Sequence, residues 1–249
     1  MTSDSATQGS NRQRFRDAWV YVNDNLIGAF ELPAKVPVLN QGNSKVNIYP
    51  GVSINGLASL RAIYTPVIRY QTNVNFKPDA ITTINPTLEY DSLLTFRYLE
   101  DFEGNGMRLV KGELTSFDPV QINDPTIAYQ GRKCALLPLS DNNAIKFECR
   151  TLDPFQLPKG ARSVFLEMNY KSNTKFVVAL AGITPSGLEV QYGILGLNPS
   201  DTWRKIYVTL SPAANQFQES NNYKVYFNYQ RDTSIAEQRV YLDNLKVLY

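Results

Sequence analysis

Val164-Phe-Leu-Glu-Met-Asn-Tyr170, followed closely by Phe176-Val-Val-Ala-Leu-Ala181, decides the fold class of this chain. In the first stretch Val164, Leu166, Met168 and Tyr170 recur at every second position. Only an extended strand places such residues on one face. The second stretch is apolar throughout, as expected of a central strand covered on both sides. Working outward, Trp203-Arg-Lys-Ile-Tyr-Val-Thr-Leu210, Tyr223-Lys-Val-Tyr-Phe-Asn-Tyr229 and Val240–Leu248 are three more strands, and Leu93–Leu99 opens the region. Loops rich in Asn, Pro, Gly and Ser separate them, which indicates a sandwich or jelly roll. Helix candidates are confined to one or two turns, such as Pro212–Phe217.

A smaller region precedes this one. Ala18-Trp-Val-Tyr-Val22 and Leu26-Ile-Gly-Ala-Phe-Glu-Leu32 flank Asn23-Asp-Asn25, a hairpin signal. Lys45-Val-Asn-Ile-Tyr49 is a further strand, ended by Pro50-Gly51, and the extended runs Leu60–Tyr70 and Gln71–Phe76 complete the unit. The expected organisation is all-β: a flexible leader over residues 1–16, a small β-sandwich over 17–90, and a larger antiparallel jelly-roll sandwich over 91–249. The stretch around Pro78 and Pro86 is the expected boundary.

Composition narrows the function. The chain of 249 residues has no histidine, which excludes serine-histidine and cysteine-histidine catalysis and histidine-based zinc sites. Carboxylate and lysine chemistry remain open, but no carboxylate pair stands out as a glycosidase dyad, and no enzymatic activity is expected. A net charge of +2 without a dense Lys/Arg run speaks against nucleic acid. The longest apolar stretch, Phe176–Ile183, is far short of the roughly 20 residues a membrane helix needs. The opening Met1-Thr-Ser-Asp-Ser-Ala-Thr-Gln-Gly-Ser10 has no apolar signal core and no lipidation cysteine. It is either the start of a cytosolic protein or a polar tether left where a signal peptide and lipid anchor have been removed.

Two cysteines and a set of aromatics supply candidate sites. Leu136–Leu139 and Ala144–Phe147 read as a hairpin around Ser140–Asn143. Counting outward places Cys134 opposite Cys149 at a non-hydrogen-bonded pair, within disulfide reach, so a bridge and an oxidising compartment are expected. Tyr192, Phe217, Tyr223, Tyr226 and Tyr229 are candidates for an aromatic platform on which sugar rings stack. Alternation sends Tyr223, Val225, Phe227 and Tyr229 to the core and Lys224, Tyr226 and Asn228 to the other face. Tyr226, then Tyr192, are therefore the ligand-binding candidates, whereas Trp203 is expected between the sheets.

Two resemblances extend this reading. Trp19-Val-Tyr-Val-Asn23, Gly28-Ala-Phe-Glu-Leu-Pro33, Val36-Pro-Val-Leu39, Gly42 and Val46-Asn-Ile-Tyr-Pro-Gly51 resemble the small PEGA-type β domain found near the anchor of bacterial surface lipoproteins, especially in Bacteroidota. Glu100-Asp-Phe-Glu-Gly104, Gly131-Arg-Lys-Cys-Ala-Leu136, Trp203-Arg-Lys-Ile-Tyr-Val208 and Tyr241-Leu-Asp-Asn-Leu-Lys-Val247 follow the order seen in galactose-binding-like jelly rolls, a class that includes many carbohydrate-binding modules. The resemblance implies an exported, outer-membrane-associated lipoprotein in the cell envelope. Its membrane association would run only through a lipid anchor absent from this chain. It also implies a structural Ca²⁺ held by Glu103 and Asp243. The plainer reading makes Glu100–Glu103 a solvated strand end and gives Asp243 to backbone amides.

The function expected is non-catalytic docking to other envelope proteins. The alternative is glycan recognition by the jelly roll. A face bearing Tyr or Trp with Asn, Gln and Arg favours the alternative, and a flat apolar patch favours docking.

Overall fold

A computed structural model describes residues 1–140, 144–160 and 162–249. The chain forms two compact units, Met1–Leu94 and Thr95–Tyr249.

The smaller unit contains α1 (Ser5–Gln8), β1 (Asp17–Val22), β2 (Asn25–Glu31), β3 (Gly42–Ser53), β4 (Arg61–Ile63) and β5 (Tyr70–Phe76). Its strands form one antiparallel sheet in the order β2-β1-β3-β4, with β5 also paired to β3. The β1–β2 hairpin turns through Asn23 and Asp24, whose φ angles of 49° and 64° are the left-handed pair a tight hairpin needs. Val20, Val22, Val46 and Val74 make the core, and Val36, Val38 and Ile84 from connecting segments pack on it. The connections cover this face where a second sheet was expected.

Pro50 does not end its strand. Its carbonyl accepts from Tyr64 N–H, so its nitrogen faces the same side. That side is the gap between β5, which stops opposite Ile48, and β4, which begins opposite Gly51. A missing donor leaves no ladder bond unmade there.

The segment expected as a flexible leader is tied into this unit. Asp4 caps α1 by accepting from Ala6 N–H, Thr2 N–H donates to the Leu88 carbonyl, and Gln13 Nε2 donates to the Tyr90 hydroxyl at 2.6 Å. The boundary falls later than expected because residues 88–91 bond back: Ile68 N–H donates to the Glu89 carbonyl and Asp91 N–H to the Pro66 carbonyl.

The larger unit comprises β6 (Phe96–Glu100), β7 (Leu109–Lys111), β8 (Val120–Asn123), β9 (Lys133–Leu139), β10 (Lys146–Thr151), β11 (Phe155–Gln156), β12 (Phe165–Ser172), β13 (Phe176–Ile183), β14 (Glu189–Leu197), β15 (Ser200–Thr209), α2 (Ser211–Gln216), β16 (Asn222–Gln230) and β17 (Gln238–Leu248). One antiparallel sheet runs β14-β13-β16-β10-β7, with β11 on β16. The other runs β15-β12-β17-β9-β8, with β6 on β17. The two make a jelly-roll sandwich. Leu166, Met168 and Tyr170 of β12, with Val164 just before it, enter one core with Tyr223, Val225, Phe227 and Tyr229 of β16. These are the faces that alternation assigns to the interior.

The expected disulfide does not form. β9 pairs with β17 and β8, whereas β10 pairs with β16 and β7, so the chain crosses between sheets where a hairpin was expected. Residues Asp141, Asn142 and Asn143 of the expected turn lie outside the described residues. Cys149 points into the core with Phe147. Cys134 shares the opposite side of its strand with Leu136 and Pro138, because Ala135, Leu137 and Leu139 are the core residues. Both thiols are free and buried. Burial pushes Cys134 up to about 12 and Cys149 well above the ordinary thiol value. Outward counting from a loop assumes that the two runs lie side by side. Here Leu137 and Phe147 instead belong to the two layers of one sandwich core.

Candidate functional site

The outer face of the sheet β14-β13-β16-β10-β7 gathers most of the polar chemistry. Strand pairing sets Tyr226 between Ala179 of β13 and Arg150 of β10, and Lys224 and Gln191 on either side of Ala181. Asn228 lies between Val177 and Glu148, and Glu189 opposite Ile183. Alternation puts all of these on one side.

Ala179 and Ala181 are small, so the Tyr226 ring lies down on them and is only 2 % exposed. Its hydroxyl donates to Glu189 Oε2 and accepts from Arg150 Nη1 at 2.9 Å. Arg150 Nη1 also lies 2.8 Å from Glu189 Oε2, and Lys224 Nζ donates to Glu189 Oε1 at 2.9 Å. Beside this cluster Gln191 Nε2 donates to Glu148 Oε2 at 3.1 Å, and Asn228 Nδ2 donates to Gln191 Oε1 at 3.5 Å. Gly112 matters here, since a Cβ at that position would fall 2.1 Å from Glu148 Oε1.

Partial burial alone would raise Glu189, but hydrogen bonds from Tyr226 and Lys224 and the nearby Arg150 charge hold it below its ordinary value. Burial, then the Glu189 carboxylate, push the Tyr226 hydroxyl up. At neutral pH Glu189 is therefore an ionised acceptor and Tyr226 a protonated donor. Arg150 Nε is buried and makes no hydrogen bond.

Tyr226 faces outward as alternation predicts, but it is no open platform, because Arg150 and Glu189 bond its hydroxyl. Tyr192 is 45 % exposed and pairs with Leu180, a core position, so the two tyrosines do not share a face. Trp203 is not between the sheets. It lies on the side of β15 away from the core residues Ile206 and Val208, with Nε1 donating to the Ile127 carbonyl at 3.0 Å and its ring 5.8 Å from that of Tyr129. Sequence reasoning missed Arg150, Glu189 and Gln191, although Arg150 and Glu148 alternate with Phe147 and Cys149 as an outward pair.

Glu103 and Asp243 both bond backbone amides. Glu103 Oε1 accepts from Arg132 and Lys133 N–H, each at 2.8 Å, and Asp243 Oδ2 accepts from Tyr129 at 3.0 Å and Gln130 at 3.1 Å. Lys133 Nζ donates to the carbonyls of Glu103 and Gly104. Asp243 Oδ1 is buried with no partner, and burial, with Glu103 adding repulsion, pushes this carboxyl up to about 7. Among the described residues no three His, Cys, Asp or Glu side chains are grouped to hold a metal ion. Any cation would therefore lean on Asp243 Oδ1, Glu103 and loop carbonyls, donors that suit Ca²⁺.

The fold and this face define an all-β, antiparallel sandwich protein with a polar outer sheet. No protein-family model matches the chain, and no curated protein matches it. Among solved structures it is similar to a xylan-binding domain of carbohydrate-binding family 22, at 16 % identity and a TM-score of 0.42, covering 61 % of this chain and 93 % of that one. It is also similar to the family 11 carbohydrate-binding module of the cellulosomal cellulase Lic26A-Cel5E of Clostridium thermocellum, at 14 % identity and a TM-score of 0.42, covering 63 % and 95 %. A third, from carbohydrate-binding modules of the β-sandwich superfamily, has 12 % identity and a TM-score of 0.44, covering 96 % and 87 %.

Proposed function

We propose that the chain is a non-catalytic glycan-binding protein whose larger unit meets its ligand on the outer face of β14-β13-β16-β10. One observation carries this reading. That face brings Tyr226, Arg150, Gln191 and Asn228 together with two carboxylates, and the Arg150 and Glu189 side chains there keep part of their contact with water. Sugar hydroxyls both donate and accept, so they fit a face that offers charged acceptors and amide and guanidinium donors. Hydrogen bonds to charged groups are worth about 1.5–3 kcal/mol each. Non-catalysis is supported by Glu189, whose carboxyl is lowered, the reverse of what a glycosidase general acid needs.

A glycan array followed by calorimetry tests the proposal, and xylan and a mixed-linked β-glucan belong in the panel because similar structures bind such chains. Arg150→Ala and Glu189→Gln should each weaken binding at least about tenfold while the melt stays cooperative. Silence across the array, with envelope proteins captured by the wild type and lost with Arg150→Ala, would return the face to the docking reading.

The same proposal includes a structural Ca²⁺ at Glu103 and Asp243, supported by the partnerless Asp243 Oδ1 and the repulsion between the two carboxylates. Ca²⁺ should raise the melting temperature, a chelator should lower it, and Glu103→Gln or Asp243→Asn should abolish the shift where Glu113→Gln does not. A melting temperature indifferent to both reagents removes the ion. An envelope location is supported by the sequence resemblance alone, and fractionation of the native cell tests it.

A further inference from the structure

We infer that the smaller unit carries a second binding site, for a neutral polyhydroxylated ligand, in the cavity between β5 and the extended segment 82–85. The cavity is a solvent-open cleft of about 330 Å³. β5 lines it with Thr72, Asn73 and Asn75, and the opposing segment lines it with Thr82, Thr83 and Asn85. Tyr70, Val74 and Ile84 add apolar surface, the last two already part of or packed on the valine core.

Three features point to the ligand class. No charged side chain lines the cavity, so a charged ligand would lose hydration without gaining a counter-charge. The six Thr and Asn side chains supply both donors and acceptors. Among the described residues none of the six hydrogen-bonds to another protein group. A volume near the lower end of small-molecule sites suits about one or two sugar rings, whose hydroxyls would take these groups while a C–H face rests on Val74, Ile84 and Tyr70.

Among the described residues β5 pairs with β3 alone, so its other backbone edge is unpaired. An extended peptide would use that edge but would leave the uncommitted hydroxyls and carboxamides without a role. The uncharged lining therefore favours the sugar.

This site goes beyond the face of the larger unit and stands or falls separately from it. The test uses the full chain against an array of neutral oligosaccharides, followed by calorimetry with the best one. Arg150→Ala, which leaves the cavity intact, should retain a binding event. Thr83→Trp, at an exposed position where a larger side chain fills the cavity, should weaken that event at least about tenfold without altering the melt. Asn75→Ala should weaken it by a smaller factor. Binding that Arg150→Ala alone abolishes, leaving nothing for Thr83→Trp to change, overturns the second site and spares the first. Absence of any neutral-sugar binding, or a cavity that takes an extended peptide while ignoring sugars, overturns the inference as well.

Discussion

The two sheets of the larger unit both send charged side chains away from the shared core, yet the two outer faces are physically unlike. On the β14-β13-β16-β10-β7 sheet, the Arg150 and Glu189 side chains keep 20 % and 18 % of their exposure. On the outer side of the other sheet, Glu167 and Lys205 keep 0 % and 2 %, with Lys205 Nζ 2.9 Å from Glu167 Oε2. Asn169, Asp243 and Lys246 are buried there too. Ions at the edge of water can exchange partners with a ligand at little cost. Ions already stripped of water are fixed by the penalty of separating them. The more open face keeps its ions in reach of water, and the buried one holds its ions fixed.

Breaking the buried pair should give the largest effect. Glu167→Gln leaves the buried Lys205 ammonium without the Glu167 carboxylate and should cost about 3–5 kcal/mol in urea unfolding. A loss below about 1 kcal/mol would show that the two faces do not differ as described.

A pH profile sharpens the contrast. Burial pulls Lys246 from 10.5 down to about 8, with Glu167 opposing the shift and Lys205 adding to it. Between those values the unfolded chain holds the proton that the folded one has lost. Stability should therefore rise from about pH 8 to about 10.5, with little contribution from this group below 8. The difference between wild type and Lys246→Met isolates that slope, and its absence would mean that Lys246 stays charged when folded.

The smallest effect belongs to the open face. Glu189→Gln should cost no more than about 1 kcal/mol, because partly exposed pairs contribute little. A loss as large as that of Glu167→Gln would erase the comparison.

Much of this was legible in residue spacing, and the failures have physical causes. The alternation of β12 and β16 assigned their core faces correctly, since period two is a property of the strand itself. It could not say that Tyr226 is covered, because the cover comes from Arg150 and Glu189 on neighbouring strands. β14 escaped notice: Glu189-Val-Gln-Tyr-Gly-Ile-Leu-Gly-Leu197 carries two glycines and a register shift opposite Val178/Ala179, which breaks its pattern. Glu189 and Gln191 went with it. The smaller unit showed its first hairpin through Asn23 and Asp24, whereas Pro50 misled because a proline's tolerance depends on which side of the strand lacks a partner. The Glu103 and Asp243 contacts depend on the 129–133 loop, whose amides no spacing rule places beside them.

The crossing from β9 to β10 has a further use. It leaves two native thiols that report from different layers, Cys149 inside the sandwich and Cys134 on the far side of the opposite sheet. Neither can react until the structure around it opens, so their modification rates are two independent clocks on one molecule. If both run at the same speed, the sandwich opens as a single cooperative unit. If one runs ahead, its sheet is the layer that loosens first.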